Sequence, residues 1–399
     1  MLAARALQSI ALTAMLVKTI DSWALLRTKH LFKLHRLELP VGLFMSETAT
    51  TLDDNILDIP RESSWLVCGD GDLSYSAAVA PFLAPSNLSL TATVLEDQAD
   101  HHHIYKDSEH HTATISSYTG ATVRFGIDAT RLEHHFPGQH FDRIQFNFPH
   151  WRGKTNNRRN RELLSSFFNS AAQVLSPHGE ILIALCQGQG GSHATTVREW
   201  KGSWTAALYA AECGLILHSV EQVNLIHNLS SHRGVDRPFQ IGREPNLYRF
   251  RFPNKNPVDR RLQLCCRHEL HICISNSNKM LSASGFNDGF GCDAFEHYTQ
   301  TLVVPEGIRV DVPLREIRTT PHGDAMIVYL IIYSAESLPL TRALADSFRA
   351  TLETEVGKVF QLRQNRAGRI VSKPFPFTAL DDVIAEAKNV EYIVPKQEI

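Results

Sequence analysis

The chain has 399 residues, enough for two or three domains, and its 43% hydrophobic and 21% charged residues are ordinary for a globular protein. A formal net charge of −2 excludes a molecule that binds nucleic acid through overall positive charge, so any such binding must come from local patches. No run approaches the roughly 18 apolar residues of a membrane span, and seven cysteines without regular spacing suit reduced thiols in an intracellular compartment.

The first 36 residues hold six basic residues (Arg5, Lys18, Arg27, Lys29, Lys33, Arg36) against one acid, Asp21. With "ALQSIALTAMLVKTI" at near-helical spacing, they suit an organelle-targeting helix. The scarcity of arginine before Arg27, and "MSETATTLDDNILDIP" from Met45, suit a cytosolic start instead. Residues 1–60 are expected to be a leader or disordered segment. From Trp65 the runs "SWLVCG", "LSLTATVL", "TVRFGID", "FDRIQFNF", "GEILIALC", "LILHSVEQV" and "LYRFRF" alternate with helical patterns, which predicts an α/β unit with a mostly parallel sheet. "NRELLSSFFNSAAQVL" reads as one helix and "REWKGSWTAALYAAECG" as another, capped at Gly214. "FPNKNPVDRR" (252–261) reads as a linker. Beyond it "RLQLCCRHELHICI" and "MIVYLIIYSAES" read as strands and "LPLTRALADSFRATLETEVG" as a helix. The expected division is therefore 61–252 and 253–399, the latter a smaller α+β domain.

Four stretches carry chemistry. In "WLVCGDGDLSYSAAVA" (65–80), Gly69 and Gly71 allow a tight turn between strand and helix, whose N-terminus is expected to offer N–H groups. A dinucleotide fingerprint would want glycine where Ser74 stands, and Asp70 beside Asp72 would repel a pyrophosphate, so a nucleoside without phosphates such as S-adenosylmethionine fits better. The alternative is a merely structural turn. After the second strand, Glu96 or Asp97 is placed to bond ribose hydroxyls. Asp128, ending "TVRFGID", is placed either at the adenine edge or as a helix cap. In "FDRIQFNFPHWRGKTNNRRNRE" (141–162), Asn147, Phe148, Pro149 and His150 end the fourth strand at the sheet's carboxyl edge, where ligands of such sheets bind. Asn147 can read a planar amide-like base edge, Pro149 stiffens the loop, and Phe148 or His150 offers a stacking face. Arg152, Lys154, Arg158, Arg159 and Arg161 follow, either holding the phosphates flanking an extruded nucleotide or forming a solvated helix start.

Other clusters weigh less. "DHHHIYKDSEHH" (100–111) reads as a solvated loop rather than a metal site. In "CCRHELHIC", strand alternation divides Cys266 and His268 from Cys265, His271 and Cys273, so no metal is expected there. Arg363, Arg366, Arg369 and Lys373 read as an exposed basic face.

"GDGDLSYSAAVA", "TATVLED", "GIDAT", "FDRIQFNFPHWRGKTNNRRNRELLSSFFNSAAQVLSPHGEILIAL" and "SSHRGVDRPFQIGREPNLYRF" together resemble the eukaryotic large-subunit ribosomal RNA (uridine-N(3))-methyltransferase family over about residues 64–252. The resemblance implies a Rossmann-like methyltransferase fold, S-adenosylmethionine as cofactor and ribosomal RNA as partner, with transfer RNA as the alternative and no membrane. It implies residence in the cytoplasm or nucleolus, and the basic leader offers the mitochondrion instead. This chain departs from the family at Asp70 and Leu73, where Glu and Phe are usual, and at "CQGQGG" (186–191), where Lys-Asp-Gly-Gln-Pro is common. Residues 258–399 could be a diverged version of the ferredoxin-fold anticodon-binding domain that some animal members carry. Methyl transfer to uridine N3 would then use Asn147 to hold the base and His150 to take the N3 proton, with Gly69, Asp70, Gly71, Glu96, Asp97 and Asp128 around the cofactor. A catalytically silent RNA-binding protein with the same fold stays open as the alternative; a nucleotide-dependent oxidoreductase is disfavoured by Ser74 and the acids beside the glycines.

Overall fold

Trp65, Leu66, Val67 and Cys68 are all fully buried. A strand buried on both faces belongs in the middle of a sheet covered by helices on both sides, and that is where this one lies. The computed structural model describes residues 63–83, 88–154, 156–194, 196–223, 235–237, 239, 241, 244–274, 299, 304–319, 325–360 and 373–375. The expectations placed on residues 1–60 and on Arg363, Arg366 and Arg369 lie outside the described residues, as do the side chains of His271, Cys273 and Lys373.

In chain order the first sheet uses β1 (Ser64–Cys68), α1 (Ser74–Val79), β2 (Ser89–Thr93), α2 (Gln98–Ile104), α3 (Ser108–Ser116), β3 (Ala121–Arg124), α4 (Leu132–His135), β4 (Phe141–Asn147), α5 (Asn157–Gln173), β5 (Leu175–Leu185), α6 (Val197–Gly202), α7 (Ala206–Glu212), β6 (Ile216–Gln222) and β7 (Asn246–Arg251). Its strand order is β3-β2-β1-β4-β5-β7-β6. Strands β1 to β5 run parallel, whereas β7 is antiparallel to both β5 and β6. The chain order reverses between β1 and β4, which opens a crevice at their carboxyl ends where ligands of such sheets bind. One face packs Leu66, Ile144, Ile181, Ile183 and Phe250 under Phe167, Phe168 and the alanines of α7. The other packs Trp65, Val67, Leu90 and Ala92 under Tyr75, Val79 and Ile115.

The expected single helix over 198–214 is two. Between α6 and α7 the chain turns at Trp204 and Thr205, the latter at φ +51°, and the Trp204 amide donates to the Gln189 carbonyl at 2.6 Å. That turn draws Trp204 into the core. Gly214 closes α7 at φ +80°, the left-handed conformation a glycine stop supplies.

The second segment holds β8 (Cys265–Ile274), β9 (Ile308–Asp311), β10 (Leu314–Thr319), β11 (Ala325–Ala335), α8 (Arg342–Phe360) and β12 (Lys373–Phe375). Its sheet is antiparallel in the order β10-β11-β8-β12, with β9 also on β11. Phe348 of α8 packs on Tyr333 with ring centroids 5.2 Å apart, giving the expected α+β character. The two sheets touch: the Arg342 amide donates to Glu212 Oε1 at 3.0 Å, and Val258, in the expected linker, is buried and donates its amide to the Glu336 carbonyl.

Candidate active site

The turn after β1 is built by left-handed residues in alternation: Gly69 at φ +57°, Gly71 at +56° and Leu73 at +68°. Gly69 has no substitute, since a Cβ there would lie 2.7 Å from Phe146 Cε2. The N–H groups expected to await a ligand are taken. Asp70 Oδ2 accepts from the Ser76 amide at 2.8 Å, and Asp72 Oδ1 accepts from the Ser74 amide at 3.2 Å and its hydroxyl at 2.7 Å. Both acids are buried, and burial pushes the Asp70 carboxyl up to about 7. A turn lined by two carboxylates, with its first amides satisfied, repels a pyrophosphate and suits a ligand with positive charge. The sulfonium and ammonium of S-adenosylmethionine meet that condition.

The expectation of a solvated loop over 100–111 is not met. These residues form most of α2 and the start of α3, and His101 is fully buried. Its Nε2 lies 2.7 Å from the Gly71 carbonyl and its Nδ1 2.5 Å from Ser108 Oγ. Since a carbonyl only accepts, Nε2 carries the proton and Ser108 donates to Nδ1. Ser108 Oγ then accepts from His102 Nδ1 at 2.7 Å, and His102 Nε2 accepts from Gln98 at 3.2 Å. His111 Nδ1 donates to the Asp72 carbonyl at 2.7 Å. Two histidines thus hold the carbonyls of the turn, while its acids hold the amides. Composition concealed this because the stretch has no apolar period; the one signal was its proximity to the second strand.

Glu96 and Asp97 separate cleanly. Asp97 caps α2, accepting from the Asp100 amide at 2.8 Å, which leaves Glu96 as the acid at the end of β2. Glu96 pairs with Arg152. Asp128 accepts from the Thr130 amide at 2.9 Å and hydroxyl at 2.7 Å, a local turn ahead of α4, whose N-cap is Arg131, so Asp128 is not the helix cap offered as its alternative role.

At the end of β4, the pairing of Cys68 with Phe146 makes the next step bring Asn147 level with Gly69. Gln145, 3% exposed, donates from Nε2 to Tyr75 Oη and to Asn147 Oδ1, both at 2.9 Å. This joins α1 behind the glycine turn to Asn147. Phe148 sits at φ +49° and packs inward on Leu182, Ala184, Val223 and Leu247, with Phe239 at 5.6 Å. His150 Nδ1 donates to the Trp151 carbonyl at 2.6 Å, which makes Nε2 its basic nitrogen; the ring meets Trp204 edge-on at 5.9 Å. An exposed ring also stands here: Trp151, 43% exposed, with the Arg159 guanidinium 5.3 Å from its centroid.

The basic run is mostly engaged within the protein. Asn156 caps α5, Arg158 and Arg159 both reach Glu162 (3.0 and 3.1 Å), and Arg161 donates to the Ser203 and Lys201 carbonyls. Arg161 is therefore a brace between α5 and the α6–α7 turn. Arg158 and Arg159 remain solvent-exposed, as does Lys154, and exposed ion pairs of this kind are worth little. In 186–191, Gly190 and Gly191 are required by close approach, since added Cβ atoms would meet Tyr248 Cζ at 2.1 Å and Ser203 Oγ at 2.7 Å. Among the described residues no three His, Cys, Asp or Glu side chains cluster as metal ligands would, and no helix is long and apolar enough to cross a membrane.

This sheet order, with β7 inserted antiparallel beside β5, and this glycine turn define a Rossmann-like methyltransferase fold, whose cofactor is S-adenosylmethionine. Residues 66–225 match the family model described as rRNA (uridine-N3-)-methyltransferase BTM5-like, which bears out the resemblance carried by the Asn147–His150 block. Ferredoxin-fold anticodon-binding domain-containing protein 1 homolog of Mus musculus is 39% identical over 188 residues, 44% of this chain and 29% of that protein. Its Homo sapiens counterpart is 34% identical over 213 residues, 48% of this chain and 34% of that protein. The aligned part thus spans about a third of these relatives' length. Their names carry the same domain type considered for residues 258–399. Among solved structures, the 30S ribosomal A1408 methyltransferase from an uncultured bacterium aligns loosely, with TM-score 0.33, 16% identity, and 50% of this chain and 91% of that one covered. TrmN from Thermus thermophilus gives the same TM-score and identity over 50% and 46%.

Proposed function

We propose that this protein is an S-adenosylmethionine-dependent RNA methyltransferase whose acceptor is N3 of a uridine in large-subunit ribosomal RNA. The observation that carries the proposal is the bonded series Tyr75–Gln145–Asn147, which sets the base-reading residue beside the cofactor turn. Bound S-adenosylmethionine supplies an electrophilic methyl group on a sulfonium. Asp70 and Asp72 line its positive portion, with Gly69 and Gly71 letting the backbone approach. Uridine N3 carries a proton at neutral pH and lies on the pairing edge, so the base must leave its pair. Asn147 holds the extruded base edge, Pro149 keeps the loop stiff, and His150 Nε2 takes the N3 proton. Trp151 with Arg158, Arg159 and Lys154 forms the surface for the flanking nucleotides, combining a stacking ring with cations for phosphates.

The test uses tritiated S-adenosylmethionine and RNA from cells lacking the protein, followed by digestion to nucleosides. Labelled 3-methyluridine is expected. Asn147→Ala should lower transfer by about a hundredfold while cofactor affinity stays within roughly twofold, as for loss of one preorganised donor. Label confined to other nucleosides would overturn the uridine assignment.

A further inference from the structure

Gln145 and Asn147 stand two residues apart on β4 and so share a face of the sheet. Each carboxamide has two donor hydrogens on one atom and an acceptor on the other, so the bond between them polarises both. Gln145 Nε2 spends both hydrogens, one on Tyr75 Oη and one on Asn147 Oδ1. Two buried atoms are then left without a partner in good hydrogen-bond geometry, Gln145 Oε1 and Asn147 Nδ2, although the Asn147 carboxamide also neighbours the Tyr75 phenol closely enough to favour its ionised form. An orphaned buried donor costs free energy unless a ligand satisfies it. On Asn147 that donor sits on the residue level with Gly69 at the sheet's carboxyl edge.

We propose that Gln145 fixes the polarity of the Asn147 carboxamide, holding Oδ1 and leaving Nδ2–H as the donor offered to the acceptor base, so that the site selects a base presenting a carbonyl oxygen over one presenting an exocyclic amine. The inference rests on the reading above that Asn147 faces that base. Uracil answers such a donor with a carbonyl on either side of N3. Adenine would bring its N6 amino group against the Asn147 amino group, donor to donor, and both would be buried unpaired. A site of this kind discriminates through the unsatisfied group rather than through size. With both amides turned round, Asn147 would show Oδ1 to the base and the preference would reverse. Gln145 is thus a specificity-determining positioning residue that need not touch substrate.

Two measurements on the full chain separate these cases. The first reads hydrogen exchange of side-chain amides in protein carrying nitrogen-15 asparagine and glutamine, with signals assigned by loss in Gln145→Leu and Asn147→Asp. The Gln145 amide hydrogens, both bonded, should exchange more slowly than those of Asn147; the reverse order overturns the inference whatever the protein's activity. The second follows methyl transfer to oligonucleotides that differ in one nucleotide, uridine or adenosine. Gln145→Glu can only accept, so Asn147 must turn to donate to it. Uridine kcat/KM should fall by roughly tenfold or more, the uridine-to-adenosine ratio should fall with it, and cofactor affinity should hold. Gln145→Leu, which buries no charge, should show the same direction at about threefold and covers the case of a misfolded Glu variant. An unchanged uridine-to-adenosine ratio in folded Gln145→Leu and Gln145→Glu overturns the inference. Wild-type protein that labels no RNA, yet shows the expected amide order, instead overturns the methyltransferase reading and the selectivity that depends on it.

Discussion

Gly69→Ala is the smallest perturbation that tests whether the turn after β1 is shaped for a ligand. Two costs follow from the geometry. An alanine at φ +57° pays about 1–2 kcal/mol for the left-handed conformation. Its methyl group would also lie 2.7 Å from Phe146 Cε2 and 3.2 Å from Cζ. Phe146 cannot swing aside freely, because its ring packs edge-on against Phe167 at 5.1 Å in the core. Overpacking of this kind adds about 1–3 kcal/mol. The sum is about 2–5 kcal/mol, a Tm loss of roughly 5–15 °C for a domain of this size. Gly138→Ala is the control, since Gly138 has φ +71° and nothing lies within 4 Å of an added Cβ; it carries the backbone cost alone, about 1–2 kcal/mol. Thermal unfolding gives the two Tm values and calorimetry gives the affinity for S-adenosylmethionine. The expected pattern is a larger Tm loss for Gly69→Ala, partial recovery on adding Phe146→Leu, and a fall in cofactor affinity for Gly69→Ala only. Equal Tm losses in the two alanine variants, with cofactor affinity intact, would refute both the steric argument and the placing of the cofactor at this turn.

Asp70 predicts a pH dependence with a definite sign. Its folded-state carboxyl is raised to about 7, so the apo protein holds a proton the unfolded chain loses, and this contribution to stability declines as pH rises from about 4 to about 7. A cationic ligand favours the ionised carboxylate, so S-adenosylmethionine affinity should rise between pH 6 and 8 and flatten in Asp70→Asn; calorimetry at three pH values checks this. His101→Phe keeps the ring volume but leaves the Gly71 carbonyl without its donor and Ser108 without its acceptor, and should weaken cofactor binding by roughly five- to tenfold with a Tm loss of roughly 3–10 °C. If Arg158 and Arg159 face RNA, the double variant to glutamine should reduce the slope of log affinity against log salt by up to about one unit per contact, with cofactor binding unaltered; an unchanged slope returns them to Glu162 as a solvated helix start.

The parallel sheet was legible because its central strands β1, β4 and β5 are largely buried and read as short apolar runs, and β4 declared its end by Asn147-Phe148-Pro149-His150. Gly69 and Gly71 were legible as a turn because both take the left-handed backbone, and at Gly69 a Cβ would also meet Phe146. What remained hidden depends on polar contacts that only the folded chain brings together. Asp70 and Asp72 look like free acids until the Ser74 and Ser76 amides fold back on them. His101 looks solvated until Ser108 and Gly71 close around it, because a buried polar network has no hydrophobic period to announce it. The break between α6 and α7 was hidden likewise, since Trp204 is drawn inward by a carbonyl in the loop after β5. Gln145 could have been read earlier, as a polar residue that shares one face of β4 with Asn147 and the buried Arg143.

The arrangement of polar groups around the turn explains why the same residues that stabilise the apo protein also leave room for a cation. Carboxylates satisfying amides and imidazoles satisfying carbonyls leave the backbone of residues 71–76 with few bonds to give. A phosphate ligand draws its binding energy from free backbone amides at such a turn, and here Asp70 and Asp72 hold those of Ser74 and Ser76. What the turn retains is negative charge in a buried place, where a sulfonium is worth more than in water. Asp70 accepts from the Tyr75 backbone, and the Tyr75 phenol reaches Asn147 through Gln145, so the proposed cofactor and base ends of the crevice lie on one bonded network. Breaking that network at Tyr75, by Tyr75→Phe, should therefore disturb base selection more than cofactor affinity, since the phenol bonds Gln145 while the ring that remains keeps its packing against Trp65 in the core.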